Sequence, residues 1–411
     1  MSDQQNTNNA KWHKRFCDRI PWGSSTGSKA PVFMPEEPAA IVKGKGCRVW
    51  DVDGREFIDF RNGLGPITLG YQFPAVDAAI REQLENGIVY GHPHFLECEV
   101  AEMICDVIPC AEQVRFLKTG GEAIAACIRI ARAYTGKDHI IQIGYNGWLN
   151  SLAPGGQQLP GQLAGNRIHG VPDCLSSLHH TAEWNDMERI KEIFSECHNN
   201  VAAVVIAANY EKMEQGKTFY PEIRDFTSKN GSLLIFDEIV TGFRIAIGGA
   251  QEYFNVTPDL AVFSKGIANG MPLSVYTGKK EVMSVCEKGS KISISSTFAG
   301  ETLSLAAAKA ALTTYMTKDV IGHLWKQGEK MWSGTNKLLE SCGIPLKYVG
   351  FWPCPTIVPL KNGGSETKNK FLRAAYKHGV SLYNVSYVNF SHSDSDIEEA
   401  LSKLEAACKE V

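Results

Sequence analysis

A single lysine, Lys265, has the surroundings of a residue that could act as a nucleophile. It follows an apolar run at residues 259–263 and is followed by small residues and glycines, a pattern that predicts a buried strand and then a loop. Burial at such a junction disfavours the ammonium form of a lysine, and the neutral amine attacks carbonyl groups to form a Schiff base. A solvated loop lysine is the alternative interpretation.

An acidic residue, Asp237, supplies a partner for this lysine. It follows four apolar residues, 233–236, which predict a strand buried on both faces. Ligands of open α/β sheets bind at the carboxyl ends of the strands. A strand-end acid followed by a strand-borne lysine is the pair that a pyridoxal-phosphate site requires, since the lysine holds the aldehyde and the acid pairs with the pyridinium nitrogen. Strand neighbours alternate faces, so Glu238 is expected to point elsewhere.

The residues around this pair resemble the class III pyridoxal-phosphate aminotransferases, and within them the branch of glutamate-1-semialdehyde aminomutase. The resemblance runs from about Ile20 to the C-terminus, and it is carried by residues 237–244, 248–251, 257–260 and 264–266. It implies the α/β fold-type I architecture, in which a large domain has a mostly parallel seven-stranded sheet and a smaller domain is α+β. It also implies a homodimer with shared active sites.

The resemblance implies a role for each residue of the catalytic set. Lys265 would form the internal aldimine with pyridoxal 5'-phosphate and, once released, move a proton between the substrate carbon and the cofactor carbon. Asp237 would keep the pyridine nitrogen protonated, so that the ring accepts electrons. Ile239 would pack behind the ring. The cofactor would pass through its aminated form, pyridoxamine phosphate.

Thr119, Gly120 and Gly121 have the composition of a phosphate-binding turn. They follow a strand pattern at residues 114–118 and precede helical spacing at residues 124–134. Glycines let backbone amides approach a phosphate, and a helix N-terminus adds positive potential. A simple strand–helix turn is the alternative. In the family the matching turn binds the cofactor phosphate, although Gly121 stands where a threonine or serine is common.

Two further residues match cofactor-binding positions of the family. Tyr145 follows a strand pattern at residues 139–143, and the resemblance implies that its ring stacks on the pyridine ring, since stacking needs only a flat aromatic face. Thr297 precedes helical spacing at residues 303–315, and the resemblance implies that it reaches the cofactor phosphate of the neighbouring subunit. From the residues alone, a core aromatic and a capping threonine are the alternatives.

The substrate side departs from the family at several positions. Asn146 stands where relatives have histidine, and residues 207–208 are alanines where relatives have Glu-Pro. Lys29 stands where the aminomutase branch has an arginine, so the charge is kept and the two-point grip on a carboxylate is lost. No arginine follows Arg373, although many members bind the donor carboxylate with a C-terminal arginine. Lys29 and Asn146 are the predicted substrate residues, and residues 152–171 are a predicted lid.

These features predict an aminotransferase that moves an amino group from a donor, an amino acid in the simplest case, to an aldehyde or ketone intermediate. Glutamate-1-semialdehyde 2,1-aminomutase, which shifts the amino group within one molecule, is the first alternative. A racemase or decarboxylase on the same scaffold is another. A nucleotide- or sugar-binding protein without cofactor chemistry is the alternative from a different class.

Strand and helix patterns alternate along the chain, which indicates an α/β sheet domain. An Asp-Gly pair between alternating apolar residues predicts a hairpin over residues 49–60. Thr302 or Ser304 is the predicted N-cap of the helix at residues 303–315. The predicted domains are an N-terminal segment at 1–60 that packs with the small domain, a large cofactor-binding domain at 61–316 and a small domain at 317–411.

The bulk composition is that of a globular protein. The chain has 411 residues and a formal net charge of −3, which gives no argument for binding nucleic acid or an anionic membrane. No apolar run approaches a membrane span, and residues 1–9 are expected to be a disordered leader without a signal region. The 12 cysteines form no C-x-x-C pair, so free thiols in a reducing cytoplasm are predicted, and the spacing does not support zinc.

Overall fold

The structure is a computed structural model that describes residues 7–149, 170–290 and 292–411. These residues form two compact units. One unit contains the described residues up to Pro74 together with Gly322–Val411, and the other is Ala75–Ile321. Among the described helices none is long and apolar enough to cross a membrane.

The described residues contain thirteen β-strands. In chain order the strands are β1 (Ile41–Lys45), β2 (Arg48–Asp51), β3 (Glu56–Asp59), β4 (Gln113–Leu117), β5 (His139–Ile143), β6 (His179–Thr181), β7 (Val201–Ala207), β8 (Leu233–Asp237), β9 (Leu260–Phe263), β10 (Ser274–Gly278), β11 (Leu346–Val349), β12 (Thr356–Pro359) and β13 (Val380–Ser381).

The same residues contain thirteen α-helices. In chain order the helices are α1 (Asn8–Arg19), α2 (Pro74–Asn86), α3 (Phe95–Val107), α4 (Gly120–Thr135), α5 (Asp173–Ser176), α6 (Met187–Glu196), α7 (Gly216–Lys229), α8 (Ala250–Tyr253), α9 (Lys280–Met283), α10 (Thr302–Thr317), α11 (Val320–Ser341), α12 (Ser365–Lys377) and α13 (Asp394–Cys408).

The unit Ala75–Ile321 is built on a seven-stranded sheet with the order β4-β10-β9-β8-β7-β5-β6. Strands β6, β5, β7, β8 and β9 pair in parallel. Strand β10 is antiparallel to both β9 and β4, so β4 points the same way as the parallel strands. The mostly parallel seven-stranded sheet predicted from the resemblance is confirmed. The carboxyl ends of β4, β5, β7, β8 and β9 therefore face one edge of the sheet.

Continuous apolar runs explain why these strands lie in the middle of the unit. All five residues of β8 are buried, and so are all four of β9. Strands buried on both faces read as unbroken apolar stretches rather than as alternating ones. Helix α4 covers one face of the sheet with Ile124, Cys127 and Ile128 in the same apolar core as the strand residues.

The other unit has a four-stranded sheet with the order β1-β2-β3-β13. Strands β2 and β3 form an antiparallel hairpin, as the Asp-Gly pair predicted. Strand β13 pairs in parallel with β3, with Val380 opposite Ile58, so the N-terminal segment and the C-terminal part share one sheet. Arg48 of β2 is paired with Asp396 and Glu399 of α13 at 2.7 Å each, which attaches the last helix to this sheet.

The start of helix α10 differs from the prediction. Neither Thr302 nor Ser304 is the N-cap, because Glu301 holds that position and its carboxylate accepts hydrogen bonds from the amides of Leu303 (2.7 Å) and Ser304 (3.3 Å). A glutamate cap was not predicted because serine, threonine, aspartate and asparagine are the usual capping residues. Thr302 is occupied elsewhere, since its hydroxyl donates to the carbonyl of Gly87.

Candidate active site

Lys265 is the first residue of a short 3-10 helix that follows β9 by one residue. Its backbone has φ +47°, in the left-handed region that costs a non-glycine residue on the order of 1–2 kcal/mol. Two buried contacts hold this turn. The Ser264 hydroxyl donates to the Leu273 carbonyl at 2.7 Å, and the Tyr315 hydroxyl donates to the Gly266 carbonyl at 3.0 Å. Strained backbone that the surroundings hold in place is typical of functional sites.

Asp237 ends β8 and is 8% exposed. Its carboxylate accepts a hydrogen bond from the Ile239 amide at 3.0 Å and one from the side-chain amide of Asn146 at 3.2 Å. Burial raises the pKa of Asp237 to about 6, against these two hydrogen bonds and the nearby charge of Lys265, which lower it. Asp237 lies opposite Val262 in the parallel pair of β8 and β9, so the predicted acid and lysine follow the ends of neighbouring strands.

Glu238, the neighbour of Asp237, points away from it, as strand alternation predicted. It is fully buried, and its carboxylate accepts hydrogen bonds from the amides of Ala250 (2.8 Å) and Gln251 (3.0 Å) and from the Thr241 hydroxyl. Burial raises the pKa of Glu238 to about 7. Glu238 therefore ties the start of α8 to the end of β8, and Asp237 remains the predicted acid of the site.

Tyr145 and Asn146 follow β5 and lie beside Asp237. Tyr145 is half exposed, and its pKa is raised by burial and by the charge of Asp237. Asn146 is only 1% exposed and donates to Asp237. This buried hydrogen bond fixes the position of the Asp237 carboxylate. The sequence analysis did not predict such a role for Asn146. Its assignment to the substrate stays a prediction.

The turn Thr119–Gly120–Gly121 begins α4 as a capping box. The Thr119 hydroxyl accepts from the Glu122 amide, and the Glu122 carboxylate accepts from the Thr119 amide at 2.8 Å. The amides of Gly120 and Gly121 lie in the first turn of the helix, where no intrahelical acceptor exists. A β-carbon placed on Gly120 would lie 2.3 Å from Cδ1 of Ile239, so this turn packs directly on the Ile239 side chain.

Lys118 and Glu301 form an ion pair next to this turn that sequence reasoning missed. The Lys118 ammonium donates to Glu301 at 2.8 Å, and both side chains are mostly buried. The Ser304 hydroxyl donates to the same oxygen at 2.6 Å. The pair attaches the N-terminus of α10 to the end of β4. Its signal in the sequence is weak, because the two residues are far apart along the chain.

Substituting the two glycines of the turn separately tests how closely the turn must approach Ile239. Gly120→Ala is expected to displace the Ile239 side chain and weaken pyridoxal-phosphate affinity by about tenfold, the equivalent of one lost contact of about 1.4 kcal/mol. Gly121→Ala is the matched control, because its nearest neighbour, Leu149, is 3.7 Å away. Fluorescence titration of the cofactor-free protein measures both affinities. Equal affinities for the two variants would contradict the packing of Gly120 on Ile239.

Among the described residues, no contact joins Lys29 or Thr297 to Lys265 or Asp237. Lys29 ends a short 3-10 helix in the unit that contains the termini, where Arg61 donates to the carbonyl of Ser28 and to Glu37. Thr297 is exposed and precedes α10. Of the predicted lid at 152–171, residues 152–169 lie outside the described residues. The roles of Lys29 and Thr297 stay predictions.

The residues at this edge of the sheet fit pyridoxal phosphate. A buried carboxylate with a raised pKa is stabilised by a cation, and a pyridinium nitrogen is one. Tyr145 offers a half-exposed aromatic face, and Ile239 offers an apolar surface beside the turn. The N-terminus of a 16-residue helix offers amides and positive potential to a phosphate. A lysine lies within electrostatic reach of the same acid.

Comparisons with known proteins agree with this arrangement. The family model described as Aminotransferase class-III matches residues 32–407. The glutamate-1-semialdehyde 2,1-aminomutase of Persephonella marina is 33% identical over 394 residues, covering 91% of this chain and 92% of its own length. The enzyme of the same name from Natranaerobius thermophilus is 30% identical over 413 residues, covering 96% of each chain.

Solved structures show the same fold. An omega-transaminase from Sphaerobacter thermophilus has a TM-score of 0.89 at 24% identity, covering 98% of each chain. A glutamate-1-semialdehyde aminomutase from Pseudomonas aeruginosa in complex with PMP has a TM-score of 0.82 at 20% identity, covering 98% of this chain and 94% of its own. The chain therefore belongs to the class III aminotransferases, a family of enzymes that use pyridoxal phosphate.

Proposed function

We propose that this enzyme transfers an amino group from an amino-acid donor to an aldehyde or ketone other than glutamate-1-semialdehyde. The observation that carries the proposal is the contrast between neighbouring strand ends. Asp237 and Lys265, after β8 and β9, keep the charged pair. Beyond β5, Asn146 is buried against Asp237, and β7 ends at Ala207, which is followed by a second alanine, Ala208. These two strand ends offer no charged group to a substrate.

The cofactor, when bound, supplies an aldehyde for the amino group and a ring that withdraws electrons from the reacting carbon. The Lys265 amine would hold that aldehyde and, once released by the donor amine, would carry the proton from the donor α-carbon to the cofactor carbon. Asp237 would keep a proton on the ring nitrogen by a charge-assisted hydrogen bond. Asn146 holds the Asp237 carboxylate in place with its amide. Ile239 would pack on the ring with its apolar side chain, and Tyr145 would stack on it with its aromatic face.

Glutamate-1-semialdehyde 2,1-aminomutase is the second candidate function. Relatives of that name match this chain at 30–33% identity over more than nine-tenths of its length. Lys29 keeps a positive charge where that branch has an arginine. This candidate needs no external amino donor, because the amino group moves within one molecule.

Half-reactions with the bound cofactor separate the two candidates. The enzyme is first converted to its aminated form with a series of amino acids, and the loss of the visible absorption band identifies the donor. Glutamate-1-semialdehyde is then added and 5-aminolevulinate is measured. We expect slow formation, at least about 100-fold slower than the reaction with the best aldehyde or ketone of a panel, since a missing charged contact of about 3 kcal/mol has that effect. Efficient formation of 5-aminolevulinate would establish the aminomutase instead.

We propose further that the enzyme is a homodimer with shared sites. The exposed large apolar side chains of the unit that carries the site include Ile88, Val89, Tyr90, Phe95 and Phe298. The Thr302 amide donates to the Ile88 carbonyl at 2.9 Å, which joins the segment 88–95 to the segment that contains Thr297. Exposed apolar patches of this kind are typical of protein interfaces. In a dimer formed through this surface, Thr297 of one subunit would reach the cofactor phosphate bound by the other subunit.

Charged substitutions on this surface test the dimer. Phe95→Asp is expected to weaken dimerisation at least about tenfold, because a buried aromatic side chain contributes about 1.5–3 kcal/mol. Leu360→Asp is the matched control, since Leu360 is similarly exposed but lies in the other unit. Light scattering over a dilution series measures the assembly, and cofactor retention is followed in parallel. A wild-type monomer that binds the cofactor tightly would contradict the shared site.

The cysteines support a reducing, cytoplasmic location as part of the same proposal. All twelve are free thiols in the structure. Thiols persist unpaired in the reducing cytosol, whereas secreted proteins tend to form disulfides.

A further inference from the structure

Three potential metal ligands converge at the edge of the seven-stranded sheet, away from the site described above. They are His139, His180 and Cys197, and their ligand atoms all lie within 4.8 Å of one another. Nδ1 of His139 is 3.0 Å from Nε2 of His180, and the same Nε2 is 3.3 Å from Sγ of Cys197. The cysteine is buried, and both histidines are partly buried.

The fold, rather than the spacing along the chain, brings these residues together. His139 is the first residue of β5, and His180 is in β6, which pairs in parallel with β5 so that His180 lies opposite Ile141. Cys197 is the C-cap of α6. A metal ion held by the three residues would connect the edge strand β6, its neighbour β5 and the C-terminal end of α6.

The three side chains of this cluster meet at one atom, Nε2 of His180. Nε2 of His180 carries either one hydrogen or one lone pair, so it forms a single full hydrogen bond, yet it faces both His139 and Cys197. One ion can coordinate all three atoms together. A tetrahedral ion with Zn–N bonds of about 2.0–2.1 Å and a Zn–S bond of about 2.3 Å sets its ligand atoms about 3.3–3.6 Å apart. Two of the three separations, 3.0 and 3.3 Å, lie within a few tenths of an ångström of these values, and the third, between His139 and Cys197, is within 4.8 Å.

We propose that His139, His180 and Cys197 form a site for a borderline-soft divalent metal ion such as Zn²⁺, with the fourth position open to water. Imidazole and thiolate are the ligands that such ions prefer. Glu196 and Arg189 are the charged groups that act on the cluster from α6.

The site is separate from the catalytic pair and has a structural role. His139 begins β5, whereas Asn146, the contact of Asp237, follows the end of the same strand. The five residues of β5 span about 16 Å at 3.3 Å per residue. The ion would therefore fasten the edge strand β6 without reaching the reacting atoms. A thiol binds a metal ion as the thiolate, so metal binding displaces the thiol proton of Cys197.

Titration of the purified holoenzyme, first treated with a chelator, tests the proposal. We expect one equivalent of Zn²⁺ per chain to bind with release of a proton, and Co²⁺ to give a thiolate charge-transfer band. At 100 times its Kd, Zn²⁺ should raise the Tm by roughly 3 °C. Cys197→Ser should abolish the cobalt band and most of the Tm shift, while Cys174→Ser, at an exposed cysteine, should leave both intact.

A second variant keeps the test decisive if Cys197→Ser folds poorly. His139→Gln retains a polar side chain on the partly buried position and is expected to weaken Zn²⁺ binding at least about tenfold. Circular dichroism of both variants without metal establishes that they fold. The proposal is overturned if the wild type binds no stoichiometric Zn²⁺, if the cobalt band is absent, or if both folded variants bind Zn²⁺ as the wild type does.

Discussion

Replacing Lys265 by alanine is expected to lower the rate of amino transfer by roughly 10⁵–10⁶-fold, the scale on which loss of a nucleophile acts. The substitution removes the amine that holds the cofactor aldehyde and also the group that takes the substrate proton. Single-turnover kinetics with the best amino donor measure this loss. Borohydride reduction of the wild type, followed by peptide mapping, should place the cofactor on Lys265.

Two controls accompany this experiment. Lys280→Ala removes an exposed lysine and should retain wild-type activity. A small primary amine added to the Lys265→Ala protein should restore part of the proton transfer, which a merely misfolded protein would not show. Recovery of the reduced cofactor on Lys118 or Lys279 would overturn the assignment. The structure argues against both, because Lys118 is paired with Glu301 and Lys279 with Asp259.

Asp237→Asn is expected to slow proton abstraction about 10³-fold while leaving the fold intact. An amide cannot hold the positive charge of the ring nitrogen, so the ring withdraws fewer electrons. Stopped-flow measurement of the donor half-reaction gives the rate. Asp225→Asn, on the exposed face of α7, is the matched control. Near-normal proton abstraction in Asp237→Asn would remove this residue from the mechanism.

The raised pKa of Asp237 gives the same variant two pH-dependent signatures. With a pKa of about 6, the wild-type carboxyl becomes protonated below that pH, so cofactor affinity should fall as the pH drops through 6, and the variant should lack this dependence. In the cofactor-free protein the sign is reversed. Because the pKa of this acid is higher in the folded protein than in the unfolded chain, the free energy of unfolding falls as the pH rises from about 4 through 6. Cofactor-free Asp237→Asn should therefore have a Tm at pH 8 at least equal to that of the wild type.

The catalytic strands could be predicted from the sequence because their signals are local. An unbroken apolar run ending in an acid indicates a buried strand with that acid at its carboxyl end, and β8 with Asp237 has this form. Thr119 followed three residues later by Glu122 is a capping box that marks the start of α4. The hairpin of β2 and β3 was likewise predicted from its Asp-Gly turn.

The contacts that sequence reasoning missed join residues that are distant along the chain. No periodicity connects Lys118 to Glu301, although their ion pair fixes where α10 begins. Asn146 was predicted to face the substrate because only its departure from the family was visible, and its hydrogen bond to Asp237 depends on the order of β5, β7 and β8 in the sheet. A triad at positions 139, 180 and 197 has no local metal-binding spacing.

During synthesis, β4 leaves the ribosome long before β10, the strand with which it pairs. Phe116 of β4 lies opposite Val275 of β10. At a synthesis rate of about 5–20 residues per second, β4 therefore waits roughly 8–30 s for β10. Strands β5, β7, β8 and β9 pair with one another in the meantime. The nascent chain therefore presents an unpaired strand to other molecules, a hazard that chaperones limit. Strand β10 can pair with β4 along its whole length only once residue 278 has been made, so the strand–helix turn after β4 reaches its final position late in synthesis or after release.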